Sequence, residues 1–91
     1  MERDEILKAA IARYGKTAQM VISMEEMAEL TKELSKFLRG AHNEDAIAEE
    51  IADVRIMLDQ LEIMFDCAGT AALYESAKVE RLRKRLEETN G

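Results

Sequence analysis

Two short acidic segments of this chain share one pattern of residue types that could hold a divalent metal ion. The first is Glu25-Glu26-Met27-Ala28-Glu29-Leu30, and the second is Glu49-Glu50-Ile51-Ala52-Asp53-Val54. In each segment the second and third acids are three residues apart, which places their carboxylates on one face of a helix. The repetition of this pattern, more than either pair of acids alone, indicates a functional site.

The acidic pairs lie beside the apolar faces of their predicted helices, whereas solvated acids normally lie opposite a core. At about 100° per residue, Glu26 and Glu29 share their flank with Gln19 and Ile22. The competing interpretation is that these acids, drawn from 19 in the chain, only keep helix faces hydrated. If the two helices pack antiparallel by these flanks, however, four carboxylates converge, and a divalent cation offsets their repulsion. Oxygen ligands without histidine or thiolate favour Mg²⁺, with Mn²⁺ as a second option. The predicted ligands are Glu26, Glu29, Glu50 and Asp53.

Glycines divide the chain into segments that read as four helices, so we expect an all-α fold. The sequence has no proline and only four glycines, and most of its residues are good helix formers. The expected helices cover about residues 2–14, 17–38, 43–65 and 70–88. Gly15 and Gly40 mark two helix ends, and Thr17, Asn43 and Thr70 are the expected side-chain caps. A chain of 91 residues predicts one domain, 1–91, with a modest core.

Apolar residues on the second and third helices recur at helical spacing and are predicted to form the core. They are Met27, Leu30 and Leu34 on the second helix and Ile47, Ile51, Val54, Leu58, Leu61 and Phe65 on the third. The third helix also carries Ala52, Ile56 and Ile63 on its opposite side. One layer of partner helices in so short a chain cannot cover both sides, so we expect a homo-oligomer, either a homodimer or a homotetramer.

The composition argues against several classes of function. A net charge of −6 is unlike a nucleic-acid-binding protein, which normally has a basic excess. Charged residues make up 35% of the chain and no apolar run approaches the length of a membrane span, so we expect no membrane association. Residues 1–5 are acidic and polar, unlike a secretory signal, which predicts a cytoplasmic protein.

The acidic pattern resembles that of the MazG family, within the all-α nucleoside triphosphate pyrophosphohydrolases. The Glu-Glu-x-x-Glu and Glu-x-x-Asp motifs correspond to residues 25–29 and 50–53, and the resemblance covers nearly the whole chain. It includes the lead-in Ala12-Arg13-Tyr14-Gly15, Gln19 and the basic run Lys78-x-x-Arg81-x-x-x-Arg85. The resemblance implies a four-helix MazG-like bundle that forms oligomers. It also implies Mg²⁺-dependent hydrolysis of nucleoside or deoxynucleoside triphosphates to a monophosphate and pyrophosphate, which removes surplus or non-standard nucleotides.

The resemblance further implies roles for individual residues. The metal ligands would be Glu26, Glu29, Glu50 and Asp53. Glu25 would be accessory, and Glu25 or Glu29 is the candidate catalytic base. Lys78 and Arg81 would contact phosphates, although basic residues near a helix C-terminus are also typical of a solvated end. Gln19 lies on the acidic flank, so its amide is a candidate to bind the base of the nucleotide.

Three alternatives remain open from the sequence. The first is a related all-α pyrophosphohydrolase that cleaves phosphoribosyl-ATP or acts selectively on dUTP or dCTP. A non-enzymatic helical oligomerisation or adaptor protein would use its acids only for hydration. A catalytically weak relative that binds nucleotides as a sensor ranks below these, because all four mapped acids are present.

Overall fold

The structure, a computed structural model, describes residues 1–89 and over that range contains four α-helices and no β-strand. The helices are α1 (Arg3–Tyr14), α2 (Lys16–Leu38), α3 (Glu44–Met64) and α4 (Ala68–Thr89). The prediction of an all-α fold is therefore confirmed. The last two residues of the predicted domain, 90 and 91, lie outside the described range.

A single residue, Gly15, joins α1 to α2. Its N–H donates to the carbonyl of Ile11 at 2.9 Å and its carbonyl accepts from the N–H of Gln19 at 3.1 Å, so it ends one helix and begins the next. Its φ of 93° lies in the region that favours glycine. The backbone of Gly15, and not the side chain of Thr17, thus sets the start of α2.

The turn between α2 and α3 differs from the expected cap. Asn43 occupies the N-cap position of α3, but its side chain makes no capping hydrogen bond. Its Nδ2 instead donates to the backbone carbonyl of Glu33 at 2.9 Å and to the Glu33 carboxylate at 2.7 Å. The predicted capping role of Asn43 is wrong because the amide reaches across to α2, where it fastens the start of α3 to that helix.

The fourth helix begins two residues before the predicted cap, Thr70. The carbonyl of Cys67 accepts from the N–H of Ala71 at 2.8 Å, so the helix starts at Ala68 and Gly69 lies in its first turn. Asp66, with φ of 49°, adopts the left-handed conformation just before it. The predicted break at residues 66–69 is therefore real but shorter than expected.

The helices α2 and α3 form an antiparallel hairpin, which is the main packing unit of the described residues. The helix α1 packs against both, and Arg3 forms an ion pair with Asp59 of α3 at 2.7 Å. The helix α4, in contrast, contacts α3 alone among the described elements. None of these helices is both long enough and apolar enough to cross a membrane.

The predicted core residues do not form the core of the hairpin. Of the apolar side chains in the described residues, only three are buried: Leu7, Met57 and Met64. Five predicted core residues are exposed, and we call them the outer stripe: Met27, Leu34, Ile51, Leu58 and Phe65, with exposed fractions of 38–60%. The other four predicted core residues are half-buried: Leu30, Ile47, Val54 and Leu61. The prediction is therefore wrong for the outer stripe, because helical periodicity identifies an apolar face but not what covers it. The two helices pack by the neighbouring acidic flank instead.

Much apolar surface consequently stays uncovered within one chain. The accessible surface is 7158 Å², whereas a compact monomer of this mass exposes about 5,300 Å². The radius of gyration is 16.6 Å, against about 12 Å for a compact domain of this length. The chain by itself is thus an extended arrangement of helices.

Candidate metal centre

Three carboxylates meet where α2 and α3 pack together. They belong to Glu26 of α2 and to Glu50 and Asp53 of α3, and one oxygen from each lies within 4.8 Å of the other two. All three side chains are of intermediate burial. Two acidic segments 24 residues apart in sequence thus form one cluster, as the repeated pattern predicts.

The antiparallel hairpin explains why these acids meet. Asn43 fixes the register near the turn through Glu33, and Glu26 lies two turns further from the turn on α2. On α3, Glu50 lies the same two turns beyond Asn43, and Asp53 lies one turn after Glu50. We call this packed region, from the turn to the open end of the hairpin, the α2–α3 seam.

The electrostatics of the cluster disfavour three ionised carboxylates side by side. Burial raises the pKa of Glu26 above its ordinary 4.5, and the nearby charges and hydrogen bonds of Asp53 and Glu50 raise it further. One carboxylate oxygen of Glu50, Oε2, is buried without a hydrogen-bond partner. Buried acceptors are normally paired, so an unpaired carboxylate oxygen within an acidic cluster fits a hard cation. Because all the donors are carboxylate oxygens, Mg²⁺ or Mn²⁺ fits the residues present.

The structure places Glu29 and Glu25 outside the cluster. Three residues after Glu26, Glu29 is turned about 60° around the helix, and its side chain is 50% exposed. Its carboxylate lies 3.9 Å from Nζ of Lys32. Glu25 is exposed as well. The structure therefore unites three of the four predicted ligands, and the metal role of Glu29 stays a prediction.

The three predicted substrate-binding residues fall into two places. Gln19 is 4% exposed and lies two turns before Glu26, on the same flank of α2. Lys78 and Arg81 are exposed on α4, which has no contact with α2 in the described part of the chain. Within one chain, the basic residues are therefore not brought to Glu26.

Sequence inspection missed two further polar residues that are buried near the site. Ser23 is 2% exposed, and its hydroxyl donates to the carbonyl of Met20 at 2.6 Å. Gln60 is 4% exposed, and its Oε1 has no hydrogen-bond partner. Gln60 follows Asp53 by seven residues, so helical spacing already places it on the acidic flank. That spacing was the available signal.

The comparisons with known proteins found no relative of this chain. No protein-family model matches the chain, and neither a curated protein nor a solved structure matches it. The acidic motifs and the cluster they form are thus the observations on which a function has to rest.

Proposed function

We propose that this protein is a Mg²⁺-dependent nucleoside triphosphate pyrophosphohydrolase of the MazG-like type. It would hydrolyse nucleoside or deoxynucleoside triphosphates to a monophosphate and pyrophosphate. The observation that supports this most is the cluster of Glu26, Glu50 and Asp53, with its buried, unpaired carboxylate oxygen. An isolated acidic cluster is common on protein surfaces, but this one is half-buried between two packed helices.

The residues of the cluster would hold the metal, which when bound neutralises phosphate charge and lowers the pKa of water. A carboxylate outside the coordination sphere is then needed to accept the proton of the attacking water. Glu29 fits this task because it lies one turn from Glu26 and remains half exposed. The water oxygen would bond to the phosphorus under attack as the bridge between the α- and β-phosphates breaks, so that a nucleoside monophosphate and pyrophosphate separate, and the proton of the water would pass to Glu29 or Glu25. No covalent enzyme intermediate is needed.

The proposal includes a homo-oligomer, because the exposed surface is too large for a lone chain. The excess over a compact monomer is roughly 1,800 Å² per chain, or about 3,600 Å² for two chains, which lies in the size range of interfaces between permanently associated subunits. The outer stripe supplies one apolar face for such an interface. A second apolar face runs along α4 and includes Tyr74, Val79 and Leu82, which are 53–64% exposed.

A second copy would also supply what the site lacks within one chain. The cluster needs cations opposite the phosphates. Lys78 and Arg81 lie on α4, which over residues 1–89 contacts α3 but neither α1 nor α2. Lys78 borders the apolar groove formed by Tyr74, Val79 and Leu82. Packing of that groove against another copy would bring these basic residues into a subunit interface. We propose that they reach the acidic cluster of that copy.

The direct test is pyrophosphate release from a panel of ribo- and deoxyribonucleoside triphosphates, with phosphoribosyl-ATP included. We expect Mg²⁺-dependent release from at least one of them. Asp53→Asn and Glu50→Gln should lower kcat/KM by roughly a hundredfold or more, because each removes a charge that acts on the transition state. Glu49→Gln is the matched control, since Glu49 is exposed beside Glu50 and should keep full activity.

Mg²⁺-dependent thermal stabilisation separates the enzyme from a non-enzymatic adaptor. A metal that binds only the folded state raises the melting temperature. Wild type and Glu49→Gln should show this rise, and Asp53→Asn should not. If no substrate in the panel is cleaved and Mg²⁺ leaves the melting temperature unchanged, the enzyme proposal fails and the adaptor explanation takes its place.

A further inference from the structure

Two apolar faces of the chain are exposed, and they match in length. On α3 the outer stripe extends from Ile51 to Phe65, about 21 Å at 1.5 Å per residue. Exposed apolar residues on α4 extend over about 18 Å. They are 53–64% exposed, and we call them the α4 face: Tyr74, Val79, Leu82 and Leu86. Each face is long enough to cover the other.

A second copy of the chain could cover these faces in two ways. If like faces meet, a dimer covers one face of each chain and leaves the other exposed, unless two dimers join. If the α4 face of each copy meets the outer stripe of the other, the contact is made twice about one two-fold axis. A single closed dimer then covers both faces of both chains.

The distribution of charge favours contact between unlike faces. Residues 78–85 of α4 include five basic residues and one acidic residue, whereas the helices α2 and α3 together carry eleven acidic and four basic residues. Contact between two α4 helices, or between two hairpins, would therefore place like charges side by side. Contact between α4 and a hairpin brings opposite charges together, which selects that partner over the others.

The charges nearest to the two faces show the same difference. Helical spacing from Leu82 places three charged residues beside the α4 face, and two of them are basic: Glu75, Lys78 and Arg85. Helical spacing from Ile51 and Leu58 places three charged residues along the outer stripe of α3, and two of them are acidic: Glu44, Arg55 and Glu62. The two faces are therefore complementary in charge as well as in length.

We infer that the protein forms a two-fold dimer in which the α4 face of each copy packs on the outer stripe of the other. This inference rests on the homo-oligomer of the proposed function, and it adds which face meets which. Lys78 lines the same groove as Tyr74, Val79 and Leu82. In this dimer it therefore lies against the hairpin that carries the acidic cluster of the other copy.

The test places one charge on each face of the full chain. Leu58→Glu changes the outer stripe and Leu82→Lys changes the α4 face, at positions that are 46% and 53% exposed within one chain. Leu82→Glu is the matched control, since it has the opposite charge at the same position. Each variant is measured alone and in an equimolar mixture with isotopically labelled Leu58→Glu, by native mass spectrometry and by light scattering over a range of concentrations.

Each substitution alone should weaken the dimer. Leu58→Glu and Leu82→Lys should each raise the dissociation constant by roughly thirtyfold or more, because an unpaired charge enters an apolar contact. Their mixture should form dimers that contain one copy of each variant. In such a dimer the introduced glutamate and lysine share one interface, and the other interface is unaltered.

The sign of the charge at position 82 decides between the two ways of pairing. Mixed dimers of Leu58→Glu with Leu82→Glu should be weaker than those with Leu82→Lys by roughly tenfold or more, because two like charges share one interface. If like faces met, positions 58 and 82 would lie in different interfaces. The sign of the charge would then make no difference to the mixed dimers.

Helix content by circular dichroism establishes that each variant is folded. If the variants at position 82 are unfolded, Val79→Lys and Val79→Glu replace them, since Val79 is 60% exposed on the same face. The inference is overturned if wild type is monomeric at every concentration, or if either single variant assembles like wild type. Mixed dimers that form equally well with both charges, or with neither, overturn it as well.

Failure of the enzyme proposal can be told apart from failure of this inference. Pyrophosphate release and Mg²⁺ stabilisation are measured on the same wild-type samples. If the mixed dimers depend on charge as expected but nucleotides are not cleaved and Mg²⁺ has no effect, the dimer stands and the enzyme proposal fails. If nucleotides are cleaved but the mixed dimers do not depend on charge, the enzyme proposal stands and the pairing of unlike faces fails.

Discussion

The α2–α3 seam and the α4 helix depart in opposite directions from the usual distribution of polar and apolar groups. The seam buries three polar side chains, Gln19, Ser23 and Gln60, each at most 4% exposed. The α4 helix exposes large apolar side chains, including Leu73 at 75% and Val79 at 60%. In a stable monomer both would be unfavourable, since polar burial and apolar exposure each cost free energy.

The two departures point to different missing components. Buried carboxylates and amides need charges and hydrogen-bond donors, which the proposed metal ion and nucleotide would provide. Exposed leucines and valines need apolar surface, which a second copy of the chain provides. The comparison therefore distinguishes the proposed metal binding in the seam from the proposed subunit association through α4 and the outer stripe, which substitutions can address separately.

The largest expected effect follows from a charge on the outer stripe. Leu58 is 46% exposed within one chain, so Leu58→Glu should be harmless to a monomer. In an oligomer it places a carboxylate in an apolar interface, at a cost of about 2 kcal/mol or more. We expect the variant to become monomeric by size-exclusion chromatography with light scattering. Its melting temperature should fall below that of wild type, which should itself depend on protein concentration.

Ala48→Glu is the matched control for that substitution. It adds the same charge to the same helix at an exposed position outside the stripe. The control should assemble and melt like wild type. A wild-type protein that is monomeric at every concentration, or a Leu58→Glu variant that assembles normally, would contradict the proposed interface.

A smaller effect on melting temperature is expected from the hydrogen bonds that join the two helices of the hairpin, and a still smaller one from the ion pairs within α4. Asn43→Ala removes two hydrogen bonds that join α3 to α2, although it also removes the unpaired buried Oδ1 of Asn43. We expect a net fall in melting temperature of roughly 5 °C. Arg83→Ala is the control, because its partners Glu80 and Glu87 lie on the same exposed helix. It should change the melting temperature by at most about 1 °C.

The difference in melting temperature between wild type and Asn43→Ala should depend on pH, which checks the role of the Glu33 carboxylate. The hydrogen bond from Asn43 holds the pKa of Glu33 below its ordinary 4.5. A lowered pKa stabilises the fold at pH values above the unfolded-state pKa, and the contribution is lost as the pH falls. The gap between wild type and Asn43→Ala should therefore narrow on acidification. A gap that is constant with pH would show that the Glu33 carboxylate takes no part.

The sequence contained enough to predict four helices and the meeting of Glu26 with Glu50 and Asp53. Glycine positions and helical spacing are local signals, and the two acidic segments are joined by a turn too short for the helices to separate. The start of α4 could not be predicted as precisely, because its first helical hydrogen bond, from the N–H of Ala71 to the carbonyl of Cys67, involves only backbone atoms and has no side-chain signature.

The assignment of the core, in contrast, required information that helical spacing does not contain. Ile51 and Leu58 lie on a regular apolar stripe, yet the hairpin packs by the flank that carries Asp53 and Met57. A stripe that meets a second chain has the same spacing as a stripe that meets its own. Spacing alone also could not decide whether Glu29 joins the cluster. It follows Glu26 by three residues, as Asp53 follows Glu50, yet only Glu50 and Asp53 both lie in the cluster.

The smallest expected effect is the response of the metal-free site to pH. Burial, together with the charges of Asp53 and Glu50, raises the pKa of Glu26 in the folded chain above 4.5. At pH values between 4.5 and the higher pKa of the folded state, Glu26 keeps a proton in the folded chain that it has released in the unfolded chain. The free energy of unfolding therefore falls as the pH rises through this interval. Glu26→Gln replaces the titrating carboxyl with a neutral amide. With chelator present, its melting temperature should therefore fall less than that of wild type as the pH rises. Mg²⁺ should abolish the difference in slope by stabilising ionised wild-type Glu26. Equal slopes in chelator would mean that the carboxylates do not interact, and the seam would then differ from α4 only in its burial.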